Sequence, residues 1–121
     1  MAHILVVEDD RALRETLSDA LALEGYQVMD AEHGEAALRL LRGGSRPCLI
    51  LLDLMMPVMD GWTFRRALLD DPALADIPVV VMTATSPDRA ATVDAEVILQ
   101  KPLRMDAVMD VVQVHCPSVS G

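Results

Sequence analysis

Four short runs of apolar residues constrain the fold of this chain more than any other feature. They span 4–7, 48–52, 79–82 and 97–99, and a weaker fifth run covers 27–31. None of the four alternates apolar with polar residues, which is the pattern of strands buried on both faces of a parallel sheet. Each run is also far shorter than the roughly 20 residues that a membrane-spanning helix needs. The sequence therefore predicts short, buried, parallel strands.

Segments with helical periodicity separate these runs. The segment 11–24 repeats its leucines on one face and stops at Gly25, as a helix with a glycine C-cap does. Further helices are predicted over 35–42, 63–69 and 105–114, and 87–94 is predicted as a helix of about two turns. Strands that alternate with helices predict the α/β class, as a (βα)5 doubly wound, five-stranded parallel sheet. In such sheets the functional site is expected at the carboxyl ends of the strands.

The composition fits one domain with an aliphatic core. The chain has 121 residues, of which 52% are hydrophobic and only 2% are aromatic. We expect residues 1–121 to form a single domain without an output domain. Ten basic residues against nineteen acidic ones give a net charge of −9, which opposes direct binding of nucleic acid or of anionic membranes.

The cysteines and the first residues indicate the compartment. Cys48 and Cys116 are too few for a disulfide framework. We expect Cys48 to pack as a small apolar side chain in a reducing compartment. The start of the chain lacks the cationic segment of a signal peptide, so we expect a cytoplasmic protein. Residues 118–121 are expected to fray.

Charged and polar side chains stand at the ends of the predicted strands. Glu8 and Asp9 follow the first run, Asp53 follows the third, Thr83 follows the fourth, and Lys101 follows the fifth. Carboxylates gathered at one edge repel each other, and a hard divalent cation such as Mg²⁺ relieves that repulsion. A carboxylate beside such a cation, an ammonium group and a hydroxyl group is equipped to attack a phosphoryl group.

Each of these residues also has an ordinary explanation when it is taken alone. Asp9 or Asp10 could cap the helix that begins near Arg11. Thr83 could be a turn residue at a strand end, and Lys101, the one lysine of the chain, could be solvated. Their occurrence together at four strand ends favours a phosphoryl-transfer site.

The motifs around these residues resemble the receiver domain of two-component response regulators, the CheY-like family with a flavodoxin-like fold. The resemblance covers essentially the whole chain. It rests on ILVVEDD at 4–10, LLDLMMPVMDG at 51–61, VMTA at 81–84 and KP at 101–102. The second of these motifs is the most specific.

The resemblance implies a role for each acidic residue of the site. Asp53 would be the phosphoacceptor and a metal ligand. Asp9 would bind Mg²⁺ directly, and Glu8, the other member of the acidic pair, would act through water. The backbone carbonyl of Met55 would complete the metal shell, and Mn²⁺ would be an alternative cation.

The resemblance also implies a switch and partners. Thr83 would bind the phosphoryl group and move towards it, Lys101 would pair with it, and Pro102 would follow a cis peptide bond. The phosphodonor would be a histidine kinase or a histidine phosphotransfer protein, and the signal would pass to an effector protein or to an output domain outside this chain. The domain would be a signalling module and not a turnover enzyme. It would be a monomer or a weak dimer.

Two departures from the family pattern concern the switch. Only 18 positions separate Thr83 from Lys101, about one helical turn fewer than is typical, so the fourth helix is expected to be short. Ile98 stands where the family often has an aromatic residue that moves with the Thr. We therefore expect phosphorylation with altered switching on that face, and hypothesise that another surface, such as the first helix, recognises partners.

Two other functional classes share part of this sequence pattern. A haloacid-dehalogenase-like phosphatase would need a second Asp two residues after Asp53, where this chain has Met55. A pseudo-receiver, which keeps the fold as an interaction module with little phosphorylation-dependent switching, remains the alternative, and the short fourth helix is its only support.

Overall fold

Strands and helices alternate along the whole of the described chain. The computed structural model describes residues 3–117, so the expected fraying of 118–121 lies outside them. The elements in order are β1 (His3–Val7), α1 (Arg11–Leu23), β2 (Gln27–Ala31), α2 (Gly34–Arg42), β3 (Leu49–Asp53), α3 (Gly61–Leu69), β4 (Val79–Thr83), α4 (Pro87–Ala90), β5 (Val97–Gln100) and α5 (Met105–His115).

The five strands form one parallel sheet in the order β2-β1-β3-β4-β5. The predicted fold class is therefore confirmed. All residues of β3 and β4 are buried, whereas the edge strands β2 and β5 are partly exposed. The apolar runs are unbroken because helices cover both faces of the central strands.

Each face of the sheet has its own core. Leu5 and Val7 of β1 point into a core with apolar residues of α2, α3 and α4. Ile4 and Val6 of the same strand belong to a second core with residues of α1 and α5. Successive side chains of a strand point to opposite faces of the sheet, as they do in a doubly wound sheet with helices on both faces.

Capping side chains set where the helices begin. Asp10 accepts a hydrogen bond from the N–H of Leu13 at the start of α1, so of the two candidate caps it is Asp10 that acts as one. His33 and Asp60 cap α2 and α3 in the same way. The predicted starts of these two helices were one and two residues late, because each first residue is a glycine without helical preference of its own.

The fourth helix is short, as predicted. It has four residues, and Ala91 is its C-cap, so it is shorter than the two turns expected over 87–94. Ser86 caps its start and Pro87 occupies its first turn. Turns then connect it to β5.

One contact of the cysteines was not predicted, and one prediction about an arginine was wrong. Cys48 packs against the core as expected. Cys48 and Cys116 are joined by a disulfide, with Cα atoms 5.7 Å apart, because α5 ends beside the start of β3. The adjacent Arg65 and Arg66 of the sequence predict a solvated helix face, but Arg65 is only 7% exposed. Its Nε donates a 2.6 Å hydrogen bond to the carbonyl oxygen of Asp94. No helix within residues 3–117 combines the length and the apolar character that crossing a bilayer demands.

Candidate functional site

The predicted side chains lie at the carboxyl ends of four neighbouring strands, at one edge of the sheet. Glu8 and Asp9 follow β1, Asp53 ends β3, Thr83 ends β4, and Lys101 follows β5. These strands are adjacent and parallel in the order β1-β3-β4-β5. Their carboxyl ends therefore meet at one edge, where such sheets place their sites.

Three carboxylates form the centre of this edge. Glu8, Asp9 and Asp53 each present an oxygen atom, and these atoms lie within 4.8 Å of one another. Glu8 is fully buried and Asp53 is 3% exposed, whereas Asp9 is exposed. A cluster of carboxylate oxygens that opens to solvent on one side fits a hard divalent cation that keeps several of its waters.

Lys101 neutralises part of this negative charge. Its Nζ lies 2.6 Å from Oε1 of Glu8 and 3.7 Å from Oδ2 of Asp53. Burial lowers the pKa of Lys101, but the hydrogen bond to Glu8 and the charges of the carboxylates outweigh burial and raise that pKa overall. Lys101 is therefore protonated at neutral pH.

Glu8 is held from two sides. Its Oε1 accepts the hydrogen bond from Lys101, and its Oε2 accepts one of 3.2 Å from the backbone N–H of Asp10. No local sequence pattern indicates the direct contact between Glu8 and Lys101, which lie 93 residues apart. Because each oxygen already has a donor, the carboxyl group of Glu8 is held in one orientation beside Asp53.

Asp53 carries the most perturbed carboxyl group of the site. Its pKa is raised to about 8, first by burial and then by the hydrogen bond and the charge of Glu8, and Lys101 offsets only part of this effect. An added positive charge would bring the pKa down and favour the carboxylate. The electrostatics of Asp53 thus agree with a cation among these three carboxylates.

The backbone next to Asp53 is also defined. The N–H of Met55 donates a 3.3 Å hydrogen bond to Oδ1 of Asp53. The side chain of Met55 is 49% exposed. The assignment of the Met55 carbonyl oxygen as a metal ligand stays a prediction.

Thr83 and Lys101 are connected through the backbone. Thr83 is fully buried, and its Oγ1 accepts a 3.0 Å hydrogen bond from the N–H of Thr85. Its carbonyl oxygen accepts a 2.8 Å hydrogen bond from the N–H of Lys101. The peptide bond between Lys101 and Pro102 is cis, which confirms that prediction.

Ile98 lies away from this edge, in the middle of β5. It pairs with Val81 in the sheet register and is partly buried against the core beneath α2, α3 and α4. An aliphatic side chain there is part of the core packing.

Comparison with known proteins places these features in one family. A family profile described as the response regulator receiver domain matches residues 4–113. The response regulator MprA of Mycolicibacterium vanbaalenii is 39% identical over 111 residues, which are 88% of this chain and 47% of that protein. The chain therefore spans about half the length of this curated relative.

Solved structures agree with the sequence comparison. The signal receiver domain of a histidine kinase from Syntrophus aciditrophicus superposes with a TM-score of 0.87 at 34% identity, over 94% of this chain and 89% of that one. The response regulator TrrA of Thermotoga maritima, solved with Mg²⁺ and BeF, has a TM-score of 0.83 at 30% identity, over 94% of this chain and 98% of that one.

Proposed function

The chain belongs to the response regulator receiver domain family of two-component systems, and from that premise we propose that Asp53 accepts a phosphoryl group from a phosphohistidine donor in the presence of Mg²⁺. The observation that carries this proposal is the setting of Asp53. It is a buried carboxyl group at the end of a central strand, with Glu8 and Asp9 on one side and the ammonium group of Lys101 on the other.

Asp53 is the nucleophile in this proposal. One carboxylate oxygen attacks the phosphorus atom of the donor in line with the bond to the donor's histidine nitrogen, which leaves as that bond breaks. Lys101 stands 3.7 Å from Oδ2 of Asp53, close enough to neutralise an oxygen of the phosphoryl group. Thr83 offers a hydroxyl group at the adjacent strand end for the same group.

Glu8, Asp9 and Asp53 would hold the cation, with the backbone carbonyl of Met55 as a further ligand and Mn²⁺ as an alternative ion. When bound, the ion supplies positive charge that neutralises the phosphoryl oxygens. The pKa of Asp53 is raised to about 8, but the nucleophile must be ionised at neutral pH. A bound cation would lower this pKa, so the raised value supports a cation at this position. Glu8 acts through water in this proposal, since both of its oxygens already accept hydrogen bonds.

The biological setting follows from the same premise. The domain is a signalling module, and we propose that it catalyses its own phosphorylation and dephosphorylation. Its donor would be a histidine kinase or a histidine phosphotransfer protein in the cytoplasm, and its output would be an effector protein or a domain beyond this chain. Thr83, Ile98 and Pro102 would form the conformational switch. The short α4 supports recognition of partners through another surface, such as α1.

The test is intact-mass spectrometry after incubation with acetyl phosphate and Mg²⁺. We expect the mass of one phosphoryl group to be gained by the wild-type protein and by Asp19→Asn, an exposed acid-to-amide control on α1. Asp53→Asn should gain none. A phosphoryl adduct that persists in Asp53→Asn, or that forms equally well with a chelator present, would contradict the proposal.

The pseudo-receiver alternative gains no support from the site. The acidic pair, the acceptor carboxyl, the hydroxyl and the ammonium group all occupy the edge that the chemistry requires. If neither the wild-type protein nor the control gained a phosphoryl group from any donor, that alternative would be the better description.

A further inference from the structure

The pair Cys48–Cys116 lies at the amino-terminal ends of the strands, on the opposite side of the sheet from Asp53. Cys48 directly precedes β3, whose far end is Asp53, and Cys116 directly follows α5. A disulfide joins them, and their Cα atoms are 5.7 Å apart, inside the range of about 4.4–6.8 Å that disulfides require. They are the two cysteines of the chain, so no other internal pairing competes.

Backbone hydrogen bonds hold both cysteines in place without the disulfide. The N–H of Cys48 donates a 2.9 Å hydrogen bond to the carbonyl oxygen of His3. The N–H of Cys116 donates one of 2.7 Å to Val112, and the carbonyl oxygen of Cys116 accepts one from the buried hydroxyl group of Tyr26. The two sulfur atoms therefore stay within reach of each other when they are reduced.

The reduced state of Cys48 is also accommodated. Its Sγ lies 3.2 Å from the carbonyl oxygen of His3, which can accept a weak hydrogen bond from a thiol. Both cysteines pack against the core beneath α1 and α5, where a thiol behaves as a small apolar group. The site thus fits two thiols as well as one disulfide.

We propose that Cys48 and Cys116 are a reversible redox modification site, at which a disulfide locks the C-terminal end of α5 onto the start of β3. In the reducing compartment suggested for this domain, the dithiol is the resting form, since cytoplasmic thiols are kept reduced. Oxidising conditions close the bridge. The proposal does not depend on phosphorylation of Asp53, so the two can fail separately.

Closure follows ordinary thiol–disulfide exchange with a low-molecular-weight disulfide such as oxidised glutathione. The thiolate of Cys48, the partly exposed partner, attacks one sulfur of the oxidant, forms a mixed disulfide and releases one thiolate. The thiolate of Cys116, which is 1% exposed, then attacks the sulfur of Cys48 and releases the second. The cysteines lose two electrons and two protons, and the oxidant gains them as two thiols.

The bridge should change the stability of the domain measurably. It closes a loop with a sequence separation of 68 residues and so restricts the unfolded chain. From the usual contribution of such crosslinks, the oxidised form should have a Tm about 5–15 °C above that of the reduced form. The change should reverse when a reductant is added.

The experiment is incubation of the protein with oxidised glutathione, followed by intact-mass spectrometry and thermal unfolding. We expect a monomer that has lost two hydrogens, carries no glutathione and no longer reacts with iodoacetamide until it is reduced. Asp53→Asn should behave in the same way. In Cys48→Ala, the remaining Cys116 should end as a free thiol or as a glutathione adduct, without the rise in Tm.

Three results would overturn the proposal in the wild-type protein, without reliance on the folding of a variant. One is that both thiols remain alkylatable under oxidising conditions. Another is that the stable product is a glutathione adduct or a disulfide-linked dimer. The third is that the bridge forms but leaves the Tm unchanged, because α5 would then not be held by it.

Discussion

At the scale of single residues, Asp53 is a carboxyl group whose charge the fold disfavours. Burial and the anion of Glu8 raise its pKa to about 8, and Lys101 compensates only in part. The carboxylate form of such a group is costly unless a further positive charge compensates it. The cost is expected where a protein keeps a reactive group for function at the expense of stability.

Replacing Asp53 should therefore stabilise the metal-free protein. Because the folded-state pKa is raised from 3.8 to about 8, the favourable contribution of protonated Asp53 is complete at low pH and is lost as the pH rises through 8. With a chelator present, Asp53→Asn should exceed the wild type in free energy of unfolding by about 1–3 kcal/mol near pH 8, and by much less near pH 4.

Urea unfolding at the two pH values measures this difference. Saturating Mg²⁺ is the control, and it should reduce the advantage of the variant near pH 8. An advantage that did not depend on pH would show that charge on Asp53 is not its cause.

Asp9 is the exposed member of the carboxylate cluster, and its removal should weaken cation binding. Asp9→Asn should lower the Mg²⁺ affinity by about tenfold or more, since Mg²⁺ depends on one or two direct carboxylates. Asp10→Asn is a matched control, because Asn also caps helices well and Asp10 is engaged in capping α1. Isothermal titration calorimetry measures both affinities. Equal losses in the two variants would contradict the assignment of Asp9 as the ligand.

At the scale of elements, the start of α3 packs directly onto the backbone that follows β3. A side-chain Cβ at Gly61 would lie 2.7 Å from the carbonyl oxygen of Asp53 and 2.7 Å from Cα of Leu54. The N–H of Gly61 donates a 2.9 Å hydrogen bond to the carbonyl oxygen of Leu54. Only glycine lets the helix approach the backbone of Asp53 and Leu54 this closely.

Gly61→Ala should therefore destabilise the domain by about 2–4 kcal/mol, since the clash is with rigid backbone on both sides. Gly43→Ala is the matched control. Its Cβ would have two backbone carbonyl oxygens nearby, at 3.2 Å and 3.5 Å, which are longer distances than those at Gly61. Urea unfolding compares the two variants. A loss for Gly61→Ala no larger than that for Gly43→Ala would show that the loop moves aside freely.

The short α4 leaves α3 to support the segment that leads into β5. Arg65 of α3 reaches the carbonyl oxygen of Asp94, and Trp62 donates a 2.9 Å hydrogen bond from Nε1 to Oγ1 of Thr92. The guanidinium of Arg89 lies over the ring of Trp62, 5.0 Å from its centre. These contacts hold in place the segment between α4 and β5, which a longer α4 would occupy.

Arg65→Ala should cost about 1–3 kcal/mol of unfolding free energy, because it removes a buried charge-assisted hydrogen bond and the packing of the side chain. Arg66→Ala, at an exposed position of the same helix, should change stability by less than about 0.5 kcal/mol. Chemical unfolding of both variants checks the difference. Similar small effects would mean that the segment before β5 does not depend on Arg65.

At the scale of the whole molecule, the two edges of the sheet carry different chemistry. The carboxyl edge gathers the carboxylates and Lys101, and the opposite edge carries the pair Cys48–Cys116. Strand β3 joins them, with Cys48 before its first residue and Asp53 as its last. A change at either edge therefore acts on the same central strand.

Much of the fold could be predicted because it depends on local patterns. Unbroken apolar runs predicted buried parallel strands, and the residue at each strand end predicted which side chains would share an edge. The short α4 could be predicted because the spacing between Thr83 and Lys101 is about one helical turn shorter than is typical of the family that the chain resembles.

What the sequence did not reveal depends on contacts between distant segments. The bridge between Cys48 and Cys116 requires knowing that α5 ends beside β3. The burial of Arg65 requires knowing that the segment after α4 folds back over α3. The pairing of Glu8 with Lys101 depends in turn on the positions of β1 and β5 around the sheet. None of these contacts has a local pattern that could have indicated it.

Locating the phosphoryl group tests the proposal for Asp53 most directly. The protein would be phosphorylated with acetyl phosphate and Mg²⁺, reduced with borohydride to convert an aspartyl phosphate into homoserine, and mapped by peptide mass spectrometry. We predict homoserine at position 53 and at no other aspartate. Homoserine at Asp9 or Asp10 instead, or a phosphorylated protein with unmodified Asp53, would contradict the assignment of Asp53 as the phosphoacceptor.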